Sequence, residues 1–368
     1  MVKIVHVVGA RPNFIKLSPV VRAINNLTEY KQVIVHTGQH YNRNMSDVFF
    51  KELEIPDPDY NLNIWSHNNH AIQIGRIMIE LDAVLTYEKP DLVIVYGDVN
   101  STLAASIACA KKGIQLAHVE SGLRSFDMSM PEEINRIITD RLSDILFIHS
   151  LEAKDNLINE GIDADKIHFV GNVMIDTLVY NKDNINSSKI KDIELPKIGG
   201  YGLVTLHRPS NVDDVMYLKS IMNTLVSISK NIPLVFPVHP RTKKMLMDLV
   251  IKDLNSNILF LNPVSYLTCL SLQKYANFVI TDSGGIQEET TYLGTPCITV
   301  RDNTERMITV TKGTNILVDR HLFKVKEAVS KILSGANFFS TIPDLWDGLA
   351  SNRIVKVLTD YINQQYGG

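Results

Sequence analysis

The stretch 118–136 (His-Val-Glu-Ser-Gly-Leu-Arg-Ser-Phe-Asp-Met-Ser-Met-Pro-Glu-Glu-Ile-Asn-Arg) carries more ionisable side chains than a plain connection between a strand and a helix needs. It leaves the apolar run 114–119, and His118 and Glu120 stand where that run ends. Glutamate is uncommon in strands and costly to bury, so this position favours a catalytic role over a structural one. Since side chains alternate along a strand, we expect both on one face.

The second half of this stretch has two readings. Glu132 and Arg136 are four residues apart, which suits an ion pair on one helical face. Ser129 with Glu132 three residues later also fits a capping box, which would make Glu132 structural. The alternative is a functional role, in which Glu132 and Arg136 are catalytic residues at the start of the helix that follows the charged loop.

Two further strand ends in the first half carry charge. Asp98 directly follows the apolar run 93–96, and Asn100 and Ser101 remain to cap the next helix, which leaves Asp98 for function. The turn 8–12 (Val-Gly-Ala-Arg-Pro) opens a helix with Arg11, and Lys16 lies one turn further. Guanidinium suits phosphate, although the turn lacks the Gly-x-Gly-x-x-Gly pattern of dinucleotide folds.

The second half contains a candidate diphosphate site at 280–289 (Ile-Thr-Asp-Ser-Gly-Gly-Ile-Gln-Glu-Glu). A strand ends, the turn Ser283, Gly284, Gly285 follows, and a helix begins, so bare backbone amides face an anion. Glu289 shares a helical face with Gly285, which suits a ribose held on the carboxylate. Two earlier strands of this half end in similar polar pairs, His207-Arg208 and His239-Pro240-Arg241.

Short apolar runs alternate with amphipathic segments through both halves, which predicts α/β domains with parallel sheets. We predict two doubly wound, Rossmann-like domains that face a central cleft. Residues 1–175 form the N-terminal domain with most catalytic carboxylates, 176–200 the linker region, and 201–350 the C-terminal domain with the candidate diphosphate site. Helix 351–368 packs back on the N-terminal domain. Ligands of such sheets bind at the carboxyl ends of the strands.

Composition excludes several classes of protein. The chain has 368 residues, a net charge of −3 and 45% hydrophobic residues, so it is globular and has no basic footprint for nucleic acid. Cys109, Cys269 and Cys297 lie far apart in apolar contexts, which predicts buried free thiols and no metal spacing. With no signal peptide and no apolar run of ~20 residues, the prediction is a cytoplasmic protein without membrane contact.

Eight motifs together match one known family, in its order and over nearly the whole chain. They are 9–12 (Gly-Ala-Arg-Pro), 37–40 (Thr-Gly-Gln-His), 96–98 (Tyr-Gly-Asp), 118–124 (His-Val-Glu-Ser-Gly-Leu-Arg), 131–136 (Pro-Glu-Glu-Ile-Asn-Arg), 204–208 (Val-Thr-Leu-His-Arg), 282–289 (Asp-Ser-Gly-Gly-Ile-Gln-Glu-Glu) and 301–306 (Arg-Asp-Asn-Thr-Glu-Arg). With these motifs the chain resembles the non-hydrolysing UDP-N-acetylglucosamine 2-epimerases, which have the GT-B fold.

The resemblance implies an isomerase that interconverts UDP-N-acetylglucosamine and UDP-N-acetylmannosamine for surface polysaccharide synthesis. It implies a homodimer with no nicotinamide cofactor and no obligatory metal. The implied catalytic residues are Asp98, Glu120, Glu132, Arg136 and His207. Those implied for the substrate and UDP are Arg11, Lys16, Arg208, His239, Ser283, Gly284, Gly285, Glu289 and Arg306. Gln39 and His40 match the allosteric site of some bacterial members.

Two departures from the family pattern fall near that allosteric site. Pro209 and Ser210 follow the His-Arg pair where the best-known members have Arg and Glu, and 41–45 reads Tyr-Asn-Arg-Asn-Met. Both leave regulation and the exact sugar open. The alternatives are a UDP-2,3-diacetamido-uronic acid 2-epimerase and a GT-B glycosyltransferase that uses a UDP-sugar. A hydrolysing epimerase and a non-catalytic sensor of nucleotide sugars are further alternatives.

The implied mechanism explains why these residue types are needed. Loss of UDP from C1 with removal of the C2 proton gives a 2-acetamidoglycal, and re-addition with a proton on the opposite face inverts C2. This requires cations for the diphosphate and carboxylates for proton transfer and charge stabilisation. Arg11, Arg136 and His207 are assigned to the first task. Asp98, Glu120 and Glu132 are assigned to the second, with the acid and the base left open.

Overall fold

A computed structural model describes residues 1–38, 49–64, 69–186, 190, 193, 195, 200–247, 257–335 and 340–366. The chain divides into two compact units. Unit 1 comprises Met1–Tyr180 and Asp344–Gly368, and unit 2 comprises Asn181–Pro343. Over the described residues, each unit contains one sheet of parallel strands that alternate with helices, so the predicted α/β class is confirmed.

Seven strands form the sheet of unit 1 over the described ranges, in the spatial order β3-β2-β1-β4-β5-β6-β7. They are β1 Val2–Val8, β2 Tyr30–His36, β3 Tyr60–Asn61, β4 Leu92–Tyr96, β5 Gln115–Val119, β6 Ile145–Ile148 and β7 Ile167–Phe169. The short β3 was predicted as loop. Tyr96 pairs with Val119, so β4 and β5 end level with each other and the residues after them are neighbours.

The helices of unit 1 begin and end where local signals place them. Asn69 caps one helix by accepting the Ile72 amide, and Gly113 ends another in the left-handed conformation that glycine favours. The helices are Arg11–Ile24, His70–Glu88, Asn100–Lys112, Pro131–Leu142, Leu151–Asn159, Val173–Tyr180 and Ala350–Tyr366, with a 3₁₀ turn at Ala164–Lys166. The sequence also predicts a helix near 45–53, and residues 45–48 of that segment lie outside the described residues.

The final helix is tied to the rest of unit 1 by a buried carboxylate. Asp176 accepts hydrogen bonds from the backbone amides of Ala350 (3.0 Å) and Ser351 (2.6 Å). Trp346, which is fully buried, donates from its indole nitrogen to the His149 carbonyl at 3.0 Å. We predicted residues 176–180 as linker, but they form the end of the helix Val173–Tyr180. Asp176 in that helix is buried and accepts the two amides.

The sheet of unit 2 has six strands among the described residues, in the order β10-β9-β8-β11-β12-β13. They are β8 Gly202–Thr205, β9 Leu234–Pro237, β10 Ile258–Leu261, β11 Phe278–Thr281, β12 Cys297–Thr299 and β13 Asn315–Leu317. The helices are Pro209–Val212, Val215–Ser229, Pro240–Met247, Tyr266–Tyr275, Gly284–Leu293, Met307–Thr311 and Leu322–Leu333.

Three of the unit 2 helices were not predicted, namely Pro209–Val212, Met307–Thr311 and Leu322–Leu333. The first two are too short to show a helical period. The third does show one, because Val325, Ala328 and Val329 are buried on one face. The sequence also predicts a helix near 243–251. In the structure this helix begins earlier, at Pro240, and residues 248–251 lie outside the described part of the chain.

Apolar side chains from the strands and the facing helices fill the core of each unit, as in ordinary α/β domains. Cys109 and Cys297 are buried free thiols, whereas Cys269 is half-buried, so the prediction for that cysteine was wrong. Within the described ranges, none of the helices has the length and apolar character needed to cross a membrane.

Candidate active site

Asp98 and Arg136 meet in unit 1. Asp98 lies two residues after β4, and its carboxylate accepts from Arg136 Nη1 at 2.5 Å. The Arg136 guanidinium is almost fully buried. It also donates to Glu133 Oε2, from Nη2 at 2.6 Å and from Nε at 3.1 Å. Arg136 therefore lies between two carboxylates, and this geometry fits a residue that positions Asp98 better than one that contacts a diphosphate.

Glu133 was missed in the sequence as a site residue, and it is the centre of this cluster. Besides Arg136, its carboxylate accepts the backbone amides of Ser125 (3.0 Å) and Phe126 (2.9 Å). Burial alone would raise the pKa of Glu133, but these amides and Arg136 outweigh it, and the pKa lies below its ordinary value. Glu133 is thus a buried, ionised clamp on the loop that precedes the helix Pro131–Leu142.

Glu132 does not take part in the predicted capping box. The N-cap residue is Met130, whose side chain has no oxygen, and the Ser129 hydroxyl donates instead to Asp127 at 2.6 Å. Glu132 is half-buried at the start of the helix. The capping interpretation was therefore wrong, because Asp127 competes for the serine hydroxyl.

Glu120 and Lys16 form a buried ion pair in unit 1, with 2.6 Å between Lys16 Nζ and Glu120 Oε2. Glu120 has a φ of +73°, a left-handed conformation that non-glycine residues rarely adopt and that clusters at functional sites. The neighbouring turn is close-packed, since a Cβ on Gly97 would lie 2.7 Å from Lys16 Nζ. Lys16 therefore pairs with a predicted catalytic carboxylate.

His118 contacts different partners from Glu120. Its Nδ1 lies 2.7 Å from Asp140 Oδ1 and its Nε2 lies 2.8 Å from the Gly97 carbonyl. Asp140 in turn accepts from Arg124 Nη1 at 2.7 Å. The alternation argument that paired His118 with Glu120 fails, because β5 ends at Val119 and Glu120 turns into the left-handed region. Asp140, 22 residues away in sequence, gave no recognisable signal.

The turn after β1 is held by a residue that the sequence analysis did not single out. Asn13 Oδ1 accepts the backbone amides of Gly9 (3.0 Å) and Ala10 (3.1 Å), and Asn13 Nδ2 donates to the Tyr96 carbonyl at 2.8 Å. Asn13 thereby joins the ends of β1 and β4. Arg11 is half-buried, with its guanidinium carbon 5.4 Å from the Phe49 ring centroid, and burial lowers its pKa.

In unit 2, Ser283, Gly284 and Gly285 stand at the start of the helix Gly284–Leu293, as predicted. Ser283 occupies the N-cap position, and its side chain makes no capping hydrogen bond within the described residues. The Arg306 guanidinium packs on Gly284, because a Cβ there would lie 2.4 Å from Arg306 Nη1. The turn therefore combines the backbone amides of a helix start with an adjacent guanidinium, which suits an anion.

Buried charged side chains hold the Arg306 guanidinium in place. Arg306 Nε lies 3.3 Å from Glu288 Oε1, and Arg306 also pairs with Glu305. Glu305 accepts from Arg301 Nη2 at 2.8 Å. All four side chains are buried, so the network fixes the guanidinium in one place.

Glu289 is buried on the same helix, and its Oε2 accepts from Gln273 Nε2 at 2.7 Å. Burial raises its pKa to about 7, and the neighbouring charge of Glu288 acts in the same direction. Hydrogen bonds from Gln273 and Tyr266 oppose the rise without cancelling it. Unlike Glu133, this glutamate has an amide as its closest hydrogen-bond donor.

His207, Arg208 and His239 follow adjacent strands of unit 2. The backbone amides of His207 and Arg208 both donate to the buried carboxylate of Asp282, at 3.0 and 2.9 Å. The ring of His207 is partly exposed, with its centroid 5.4 Å from that of His239. His207 and Arg208 are thus anchored on the buried Asp282, which directly precedes the Ser283 turn, and the His239 ring lies beside that of His207.

The last predictions concern the two allosteric residues and a metal site. Gln39 and His40, the allosteric candidates, lie outside the described residues. Across the described part of the chain, no group of three or more His, Cys, Asp or Glu side chains has the arrangement of a metal site.

Each unit is an α/β domain built on a parallel sheet; unit 1 carries the carboxylate cluster and unit 2 a helix start that suits an anion. A family model described as UDP-N-acetylglucosamine 2-epimerase matches residues 22–359. A UDP-N-acetylglucosamine 2-epimerase of Methanocaldococcus jannaschii is 44% identical over 368 residues, covering 96% of this chain and 98% of that protein. A UDP-2,3-diacetamido-2,3-dideoxy-D-glucuronate 2-epimerase of Pseudomonas aeruginosa is 43% identical over 363 residues, covering 97% and 99%.

A solved structure leads to the same family. The crystal structure of the M. jannaschii UDP-GlcNAc 2-epimerase in complex with UDP-GlcNAc and UDP has a TM-score of 0.89 at 42% identity, covering 97% of this chain and 99% of that one. The chain belongs to the UDP-N-acetylglucosamine 2-epimerase family. The predicted family, its epimerase class and the GT-B type of fold are thereby confirmed.

Proposed function

We propose that the protein interconverts UDP-N-acetylglucosamine and UDP-N-acetylmannosamine by elimination and re-addition of UDP through a 2-acetamidoglycal. The observation that carries the proposal is the gathering of Asp98 and Glu120 at the level ends of β4 and β5. Each of the two carboxylates is held by its own buried cation, Arg136 or Lys16. Removing and returning a proton at C2 needs carboxylates whose positions are fixed before the substrate arrives.

In this proposal the residues of unit 1 act on the sugar. Asp98, Glu120 and Glu132 transfer protons or stabilise the oxocarbenium-like charge at C1. Arg136 positions Asp98, because its guanidinium is enclosed by two carboxylates. Lys16 positions Glu120 in the same way and keeps a positive charge beside it.

The residues of unit 2 bind the nucleotide. The amides at Ser283, Gly284 and Gly285 hold the diphosphate, supported by Arg306, and Glu289 accepts the ribose hydroxyls. His207, Arg208 and His239 supply polar contacts for the leaving group. The ordered Glu288, Glu305 and Arg301 network supports this role, because it keeps Arg306 against Gly284.

A time course by proton NMR tests the reaction directly. Wild-type protein is incubated with UDP-N-acetylglucosamine in deuterium oxide without added NAD or metal. We expect UDP-N-acetylmannosamine to form, with deuterium at C2 of the product. Release of free N-acetylmannosamine and UDP would indicate hydrolysis instead, and unchanged substrate with no turnover would overturn the proposal.

A second substrate has a specific observation in its favour. The relative from Pseudomonas aeruginosa, named for UDP-2,3-diacetamido-2,3-dideoxy-D-glucuronate, is 43% identical, against 44% for the relative named for UDP-N-acetylglucosamine. A competition assay with both UDP-sugars separates them, since the true substrate has the higher kcat/KM. The family match itself supports an epimerase over a glycosyltransferase.

We further propose that the protein acts in the cytoplasm as a homodimer and serves surface polysaccharide synthesis. The support for these points is the family resemblance. Light scattering at several concentrations tests the oligomeric state, and a mass twice that of the 41.4 kDa chain is expected.

A further inference from the structure

Asp282 is a fully buried carboxylate that directly follows β11. Its carboxylate accepts the backbone amides of His207 and Arg208 and the side-chain amide of Asn211, at 2.9–3.1 Å. Asn211 is itself fixed, because Nδ2 also donates to the Val300 carbonyl at 2.9 Å. Burial alone would raise the pKa of Asp282, but His207, the Arg208 amide and Asn211 outweigh it and hold the pKa below its ordinary value, so the carboxyl is ionised.

The ionised Asp282 decides which nitrogen of His207 carries hydrogen. His207 Nδ1 lies 2.9 Å from Asp282 Oδ1, and a carboxylate is an acceptor only. Nδ1 must therefore be the donor. Nε2 is then the nitrogen that remains for a ligand on the partly exposed side of the ring, and any positive charge that arises there is balanced by Asp282.

His239 is held in the opposite way. Its Nδ1 accepts the backbone amide of Arg241 at 3.2 Å, so Nδ1 carries a lone pair and the hydrogen is on Nε2. Arg241 is itself anchored, because its guanidinium makes two hydrogen bonds to Asp213, at 2.6 and 2.8 Å. The two histidine rings lie side by side with centroids 5.4 Å apart.

We propose that Asp282 and the Arg241 amide hold His207 and His239 in opposite tautomers, which makes Asp282 a positioning residue for the reaction. His207 presents Nε2 as the atom that can accept or hold a proton at the leaving diphosphate. His239 presents Nε2–H as a fixed donor. This rests on the proposed function only for the identity of the ligand, since the tautomers follow from the protein alone.

The consequence for the reaction is a division of work between two residues of the same type. A neutral donor can hydrogen-bond a phosphate oxygen throughout the reaction. When the His207 ring carries a proton on both nitrogens, with Asp282 balancing its charge, Nε2 can give its proton to a phosphate oxygen of the departing UDP and take it back when UDP adds again. An unrestrained imidazole would divide its hydrogen between both nitrogens. Fixing the tautomer removes that disorder before the substrate binds.

The test is nitrogen-15 NMR of the full chain with labelled histidine, without ligand and with UDP. The chain has 11 histidines, so His207→Gln and His239→Gln spectra identify the two rings by the signals that disappear. We expect hydrogen on Nδ1 of His207 and on Nε2 of His239. A His207 ring with an unprotonated Nδ1, or two rings of the same tautomer, would overturn the proposal.

A substitution adds a functional readout. Asp282→Asn should release the His207 tautomer and lower kcat on the order of 10²-fold, the usual scale for acid–base assistance. Affinity for UDP should change by less than about threefold, because the amides of the Ser283 turn remain. Asp319→Asn is the matched control, since Asp319 is in the same unit and pairs with exposed Lys324.

Outcomes that concern the fold and those that concern the function are separable. If Asp282→Asn fails to fold, the wild-type spectra still decide the tautomers. If the tautomers are as expected but UDP-N-acetylglucosamine is not epimerised, the positioning stands and the proposed function fails. If Asp282→Asn folds and keeps wild-type kcat with a mixed His207 tautomer, the positioning role is overturned.

Discussion

Two buried glutamates, one in each unit, have opposite ionisation behaviour. Glu133 and Glu289 are both nearly inaccessible, at 1% and 3% exposure. The pKa of Glu133 lies below its ordinary value, whereas that of Glu289 is raised to about 7. For both, burial is the largest single influence and it favours the neutral acid.

The difference comes from the neighbours. Glu133 has a guanidinium and two backbone amides as donors, and these favour the charged form. Glu289 has the neutral side chains of Gln273 and Tyr266 as donors and a like charge on Glu288. Burial therefore does not decide whether a carboxyl is ionised; its donors do. Unit 1 thus fixes charge in advance, while unit 2 keeps a carboxyl whose charge is adjustable near neutral pH.

The largest expected effect comes from removing Glu133. Glu133→Ala removes one of the two carboxylates that contact the buried Arg136 guanidinium, and it removes the acceptor of two backbone amides. Breaking a buried pair in this way costs about 3–5 kcal/mol of unfolding free energy. Urea unfolding measures the loss, and exposed Glu80→Ala in the same unit is the control. A loss below about 1 kcal/mol would mean that Glu133 is not the clamp.

Glu289→Gln tests the other side of the comparison. The folded-state pKa of Glu289 is above its ordinary 4.5, so the folded chain binds that proton more tightly than the unfolded chain does. Wild-type stability from this group is full below pH 4.5 and is lost as pH rises towards 7. The glutamine side chain does not titrate. The free energy of unfolding of Glu289→Gln relative to wild type should thus rise between pH 5 and 8, by about 3 kcal/mol at most.

The measurement is thermal or urea unfolding of both proteins at several pH values. A Glu289→Gln curve that stays parallel to wild type across this range would show that Glu289 is ionised throughout. Glu327→Gln, an exposed carboxyl in the same unit, serves as control.

Glu132→Gln separates chemistry from support within one helix turn, because Glu132 is adjacent to Glu133. Glutamine keeps the shape but cannot transfer the proton, so kcat should fall on the order of 10²-fold. The melting temperature should stay within a degree or two, because the N-cap is Met130. Steady-state kinetics and calorimetry on the same preparation check both parts, and near wild-type turnover would leave Asp98 and Glu120 as the carboxylates for proton transfer.

The smallest expected effect is that of Ser129→Ala. The serine hydroxyl bonds Asp127 in an exposed loop and caps nothing, so the loss should stay below about 0.5 kcal/mol. Asp214→Ala is the contrast, because Asp214 does cap a helix by accepting the amides of Met216 and Tyr217. That change should cost about 1 kcal/mol. Equal losses in the two variants would contradict the assignment of the caps.

Strand ends could be predicted from the sequence because each apolar run stops at a turn residue or a charge. Asp98, Glu120 and the Ser283 turn were found that way. Glu133 was not, because which of two adjacent glutamates points inward depends on the rotation of the helix about its axis. The partners of His118 and His207 were also hidden, since Asp140 and Asp282 are 22 and 75 residues away.

Local rules also failed where two of them competed. Ser129 satisfies the spacing of a cap, yet Asp127 captures its hydroxyl two residues earlier. The helix Met307–Thr311 is rich in β-branched residues, which disfavour helices, and tertiary packing overrides that preference. Sequence patterns thus predict the sheets well, and they predict side-chain partners poorly wherever those come from distant segments.

The hydrogen bonds that Asp176 accepts from Ala350 and Ser351 have a consequence for the order in which the two units fold. Unit 1 uses residues from both sides of unit 2 in the chain, so a ribosome makes all of unit 2 before it makes the helix that completes unit 1. Until then the nascent chain lacks the two amides that Asp176 accepts and the Trp346 indole that donates to the His149 carbonyl. Unit 2 can fold as soon as it has been synthesised, whereas unit 1 can complete its fold only after the last helix has been made. Chaperones would therefore bind unit 1 in its incomplete form.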